Sequence, residues 1–172
     1  MGLPNTLERV LELSRADECI VIGWDSSSAN VRWALNTSTT NGTGESRQLV
    51  VISVIDGRVG TIARSYFPDD ELEDLVRASE AACEGKPRAE DHIPLLAGNG
   101  PPADWEDPDE PTGVGVFATL APDLAGAFRR ADANRVLLFG FAEHVRTTTY
   151  LANSAGLYRR YTGSEGKFQI NA

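Results

Sequence analysis

Seven polar or amphipathic side chains crowd eight consecutive positions: Glu143, His144, Arg146, Thr147, Thr148, Thr149 and Tyr150. The Val, Thr and Tyr content here favours a strand. On a strand both faces would then carry hydrogen-bonding groups, which is unusual inside a sheet. An edge strand or groove lining suits the pattern better, because main-chain pairing there could hold an extended peptide. Glu143, His144, Thr148 and Tyr150 are the candidate peptide contacts. The plainer reading is an edge strand covered by a part of the protein beyond these 172 residues. His144 reads either as a strand-end residue with a satisfied hydrogen bond or as a polar group facing a ligand.

Other chemistries lack their residues. His92 and His144 are the only histidines, and neither belongs to a pair at helical ligand spacing, so no metal site is expected. An enzyme built on Glu143 and His144 is the weakest option considered. Gly113-Val-Gly-Val-Phe-Ala118 mimics a dinucleotide fingerprint but follows a Pro-rich loop rather than a strand. Gly163-Ser-Glu-Gly-Lys167 resembles the end of a phosphate loop, yet Phe168 stands where Ser or Thr is needed. No Gly-x-Ser-x-Gly elbow occurs. Cys19 lies in an apolar strand pattern and Cys83 on the apolar side of a helix, so both read as small buried hydrophobes. No catalytic residue is assigned.

The elements that would position these residues follow from periodicity. Leu7, Val10, Leu11 and Ser14 share a helical face, with Asn5 and Glu8 as a capping box. Strands are expected at 19–24 and 29–36, with Ser26, Ser27 and Ser28 in a turn between them. The Asn, Thr, Ser and Gly residues from Asn36 to Ser46 suit a long exposed hairpin loop. Leu49 to Ile55 reads as a central strand, turned by Asp56-Gly57 into Val59 to Ala63. A second helix opens at Pro68, with Asp70 and Glu73 as its capping box and Gly85 as its end. Its inner face is Leu72, Leu75, Val76, Ser79 and Cys83.

Residues 86–113 hold six of the nine prolines and the solvated acid run Asp104 to Glu110, with Trp105 as an anchor to the body. A second module is expected to begin with a strand at Val114 to Phe117. A helix near Pro122 follows, turning Leu124, Ala127, Phe128 and Ala131 inward. Strands at 135–144, 147–152, 157–162 and 167–171 complete it. The predicted class is α+β, with two helix-plus-antiparallel-meander modules (1–85 and 114–172) joined by a Pro-rich acidic linker at 86–113. The second module is expected to be cut short on its C-terminal side, because its last strand meets no closing element.

A chain of 172 residues with 41% hydrophobic and 24% charged residues has the composition of a globular domain. Its formal net charge of −9 repels phosphate backbones and anionic lipid, so neither nucleic acid nor membrane is an expected partner. The opening residues lack a signal peptide pattern and no run reaches the roughly 20 apolar residues of a membrane span. A cytoplasmic location is expected.

Several segments resemble the TldD/PmbA family: Ser28-Ala-Asn-Val-Arg-Trp-Ala34, Thr39-Thr-Asn-Gly42, Val54-Ile-Asp-Gly-Arg-Val-Gly60, Val116-Phe-Ala-Thr-Leu-Ala-Pro122 and, most specifically, Gly140-Phe-Ala-Glu-His-Val-Arg-Thr-Thr-Thr-Tyr-Leu151. The resemblance spans nearly all of the chain. It implies the N-terminal α+β region of proteins once described as modulators of DNA gyrase and understood as metallopeptidases. In that family a larger C-terminal domain follows, and unfolded peptides are cut without ATP. Two paralogous subunits are typical, one of which carries zinc through a His-Glu-x-x-x-His motif and a Cys. Neither motif occurs here, so the resemblance transfers no cofactor and no catalytic residue. The segments around Arg32 and Thr147 look more like the metal-lacking, PmbA-type branch. What is implied is substrate enclosure and contact with a paralogous subunit; the alternative is a standalone peptide-binding module with an exposed edge strand.

Overall fold

The computed structural model describes residues 2–172. Three helices, α1 (Leu3–Leu13), α2 (Leu72–Ala81) and α3 (Leu120–Ala133), accompany five strands. The strands are β1 (Glu18–Ala34), β2 (Thr37–Ile55), β3 (Arg58–Arg64), β4 (Phe139–Asn153) and β5 (Tyr158–Asn171). They form one antiparallel sheet in the order β3-β2-β1-β4-β5. The class is therefore α+β, as expected, with all five strands in one sheet.

Strands of 17 and 19 residues far exceed the usual five or six. Two compact units draw on them. The first unit comprises Met1–Asp25, Ser46–Pro108 and Thr148–Tyr161, and the second Ser26–Glu45, Asp109–Thr147 and Thr162–Ala172. These units are interleaved along the chain. The physical reason is that β1, β2, β4 and β5 each contribute one half to each unit.

In the first unit, Leu3, Leu7 and Val10 of α1 and Leu72, Leu75 and Val76 of α2 pack with Cys19, Val21, Leu49 and Val51 of the sheet. α1 starts at Leu3 with a proline in its first turn and makes no side-chain cap. The Asn5–Glu8 capping box is thus absent, and Glu8 instead accepts a hydrogen bond from the Trp105 indole. α2 likewise has no side-chain cap; a 3₁₀ turn at Asp69–Glu71 leads into it, in place of the Asp70–Glu73 box. Its acidic first turn still complements the helix dipole. The α2 backbone lies so close to β3 that a Cβ on Gly60 would collide with the Ser79 carbonyl. The Ser53 and Ser79 hydroxyls, both buried, satisfy each other at 2.7 Å beneath this contact.

The second unit has a smaller core of Trp33, Leu124, Ala131, Leu138 and Ala142, flanked by Val31, Phe117, Leu120, Ala127 and Phe128. Gly140 leaves room for the Trp33 ring, whose Cζ2 would lie 2.7 Å from a Cβ there. Leu35 and Asn36 form a two-residue turn, both with positive φ (54° and 60°). Chain reversal there leaves residues 37–46 as strand, not as the expected loop. The buried Asn36 side chain fixes this turn: Nδ2 donates to Asp132 Oδ1 (2.6 Å) and the Val136 carbonyl (2.9 Å), and Oδ1 accepts from the Leu138 N–H (2.7 Å). Val114–Phe117 is a 3₁₀ turn rather than a strand.

Candidate functional site

β4, which carries the polar run, lies between β1 and β5. This corrects the expectation of an edge strand: β4 has a strand neighbour on each side. The polar groups are tolerated because other segments supply partners. Within the second unit, His144 Nδ1 and the Thr112 hydroxyl are 2.7 Å apart, and the Thr112 N–H donates to Ser27 Oγ at 2.8 Å. The Thr147 and Ser26 hydroxyls lie 2.8 Å apart. Arg146 donates to Glu110 at 3.3 Å, and Glu143 stands 4.0 Å from Lys167. Ser26, Ser27 and Ser28 are therefore strand residues of β1, not a turn.

The four candidate contacts divide between the two units. Glu143 and His144 are half-buried members of the second unit, and Thr148 and Tyr150 belong to the first. Glu143 and His144 are consecutive on a strand, so they point to opposite faces and cannot act as an acid–base pair. Thr148 is 3% and Tyr150 1% exposed. Tyr150 meets the Trp105 ring edge-on at 5.3 Å, the Arg160 guanidinium lies 5.7 Å from its centroid, and its hydroxyl accepts from Arg160 Nε at 3.3 Å. It is a packing residue. Trp105 anchors the acidic loop as expected, 2% exposed and edge-on to Tyr158 as well, at 5.1 Å.

Among the described residues no group of three or more His, Cys, Asp or Glu side chains is placed to hold a metal ion. Burial raises the Cys19 thiol above its ordinary value, which suits an inert core cysteine. His92 forms a 2.7 Å contact with Glu18 Oε2, while Glu18 Oε1 accepts from the Leu95 N–H at 3.0 Å. The His92 hydrogen bond, then that of Leu95, holds the Glu18 carboxyl below its usual range.

Two cavities stand out. One of about 620 Å³ beside the C-terminal end of α2 is lined by Arg58, Arg77, Glu80, Glu84 and Lys86. Its cations are engaged: Arg77 with Glu80 and the Leu13 carbonyl, Arg58 with the Lys86 carbonyl, and Lys86 with the Val59 carbonyl. The other, about 310 Å³ and largely apolar, lies in the second unit between α3 and the start of β2. Val31, Phe117, Leu120, Leu124 and Phe128 form its walls, with Thr37 and Ser38 at the strand side. Sequence periodicity places Leu124 and Phe128 inward but gives no sign of a gap between them.

The architecture itself, a long-stranded antiparallel sheet with three helices, has close counterparts among solved structures. It is the fold of TldE from Thermococcus kodakarensis, which superposes with a TM-score of 0.67 at 12% identity, over 97% of this chain and 42% of that one. Two candidate modulators of DNA gyrase share it, from Bacteroides thetaiotaomicron (TM-score 0.62, 15% identity) and Thermotoga maritima (0.64, 12%). Each is matched over 96% of this chain and 38% of its own length, so the chain spans well under half of these proteins. No protein-family model and no curated protein matches the sequence. The resemblance to the TldD/PmbA family drawn from the sequence thus holds in the fold. No helix among the described residues is long and apolar enough to cross a membrane.

Proposed function

We propose that this chain is the substrate-enclosing region of a TldD/PmbA-type peptidase-complex protein, contacting unfolded peptide and a paralogous subunit while hydrolysis resides elsewhere. The observation that carries this reading is the shared fold over 97% of the chain with TldE. The uncharged Thr, Ser, Asn and Gly run from Thr37 to Gly44 in the second unit offers a phosphate no cation. A net charge of −9 points the same way. Zinc, in this reading, belongs to the metal-bearing partner. A freestanding peptide-binding module remains the second reading, favoured only by the first half of β2, which has no described strand on its outer side.

The test is fluorescence anisotropy with a labelled, permanently unfolded polypeptide, followed by mass spectrometry of the same mixture. Saturable binding without cleavage, with or without added zinc, is expected. Absence of binding refutes the enclosure reading; chelator-sensitive cleavage refutes the assignment of hydrolysis to another region.

A further inference from the structure

The polar run of β4 is answered by a short piece of the same chain. Residues 107–113 belong to no helix or strand. Yet Glu110 meets Arg146 at 3.3 Å, and the Thr112 hydroxyl meets His144 Nδ1 at 2.7 Å. Two steps forward in this segment match two steps back along β4, so Glu110-Pro111-Thr112 runs antiparallel to that strand. It lies over a face of the sheet, because His144 and Arg146 are two apart on a strand and share one face. The Thr112 N–H reaches Ser27 Oγ on the neighbouring β1 at 2.8 Å, so the segment spans two strands. Glu110, Thr112, Ser27, His144 and Arg146 all belong to the second unit.

The match is specific, an acid on a guanidinium and a hydroxyl on an imidazole, but the hold is light. The Glu110 side chain is 82% exposed and that of Arg146 36%. Ion pairs this exposed contribute little and are screened by salt. Pro111 has no N–H, so the centre of the segment donates no main-chain hydrogen bond. Arg146 Nε is buried and has no hydrogen-bond partner among the described residues, so this arrangement leaves a guanidinium donor unsatisfied. Few buried contacts and no backbone ladder are the marks of a segment that opens locally, well before the fold does.

We propose that Glu110-Pro111-Thr112 is a strap that leaves the β4 face as a unit, with the Glu110–Arg146 pair as its catch. Release uncovers the Ser27 hydroxyl, the His144 imidazole and the Arg146 guanidinium while the sheet stays intact. The strap goes beyond the peptide-enclosure reading and does not depend on it.

Native-state hydrogen exchange followed by NMR tests this, with the Thr112 amide and the His144 ring signals as reporters. In the parent, Thr112 should exchange faster than the β4 amides from Glu143 to Thr147. Glu110→Gln alters a residue in contact with Arg146, not with His144 or Ser27. It should nonetheless speed Thr112 exchange by about 1.5- to 5-fold, the worth of an exposed ion pair, and shift the His144 signals. The β4 amides should keep their rates. Raised salt should act in the same direction on the parent and add nothing in Glu110→Gln. Exchanging the two charges, Glu110→Arg with Arg146→Glu, should return the Thr112 rate toward that of the parent. Ser27→Ala removes the acceptor of the Thr112 N–H and should speed its exchange further than Glu110→Gln does. A Thr112 rate unmoved by both Glu110→Gln and salt overturns the strap, and so does an acceleration shared equally by the β4 amides. The salt arm needs no variant, and none of these outcomes bears on whether an unfolded polypeptide binds.

Discussion

Removal of the Trp105 side chain is expected to cost a large part of the stability of the first unit. Trp105 lies in a segment without regular secondary structure, so the sheet and helices make no backbone ladder with it. What holds it is the indole: nearly complete burial, two edge-on aromatic contacts at 5.3 and 5.1 Å, and a 3.0 Å hydrogen bond to Glu8. Truncation of a buried aromatic to Ala costs about 3–5 kcal/mol, within which each edge-to-face pair supplies about 0.5–1.5 kcal/mol. Glu8 is half-exposed and can be rehydrated, so its lost partner adds little. A loss of about 4 kcal/mol is therefore expected for Trp105→Ala. Trp105→Phe, which keeps a ring but not the indole N–H, should lose about 1–2 kcal/mol. Urea unfolding followed by far-UV circular dichroism reads this directly. With a slope near 2 kcal/mol per molar, the Ala variant's midpoint should fall by about 2 M. Limited proteolysis should then cut within residues 86–113 before the sheet is lost. A Trp105→Ala midpoint within about 0.3 M of the parent would refute the anchoring argument.

Three further outcomes follow from the same geometry. Gly60→Ala forces a methyl into the Ser79 carbonyl, so a loss of at least about 3 kcal/mol is expected in urea unfolding, because backbone must move; a neutral result contradicts the close β3–α2 approach. Leu35 holds a left-handed backbone at 60% exposure, so Leu35→Gly should relieve about 1 kcal/mol of strain and raise Tm by about 2–4 °C; a lower Tm contradicts it. Glu18 has a depressed pKa, so its hydrogen bonds add stability above its ordinary value of 4.5, and that contribution fades as pH falls through the depressed value. The stability gap between the parent and Glu18→Gln should accordingly be present at pH 7 and close at strongly acidic pH; a gap that widens on acidification contradicts this sign.

Legibility in the sequence tracked how local the cause was. The Asp56-Gly57 turn, the inner face of α2 and the buried Cys19 and Cys83 depend on neighbours within a few residues, and all were readable. Trp105 was readable because a large aromatic in an acidic, Pro-rich segment has few other uses. The triple serine was misread as a turn because its partners are far away: Thr147 lies 121 positions from Ser26, and Thr112 lies 85 from Ser27. The same remote pairing hid the interior position of β4, whose polar side chains looked like those of an edge. Leu35-Asn36 escaped notice because leucine is a poor turn residue, and the turn is held by Asn36 contacts about 100 positions away. The free half of β2 was invisible for a related reason. It exists because β3 is only seven residues long beside a strand of nineteen, a mismatch that pairing reveals and composition does not.

Hydrogen–deuterium exchange of the chain, alone and saturated with a permanently unfolded polypeptide, tests the central claim most directly. Peptide enclosure predicts new protection at backbone amides of the chain when the polypeptide is bound. No change in protection at polypeptide concentrations up to the millimolar range would contradict it.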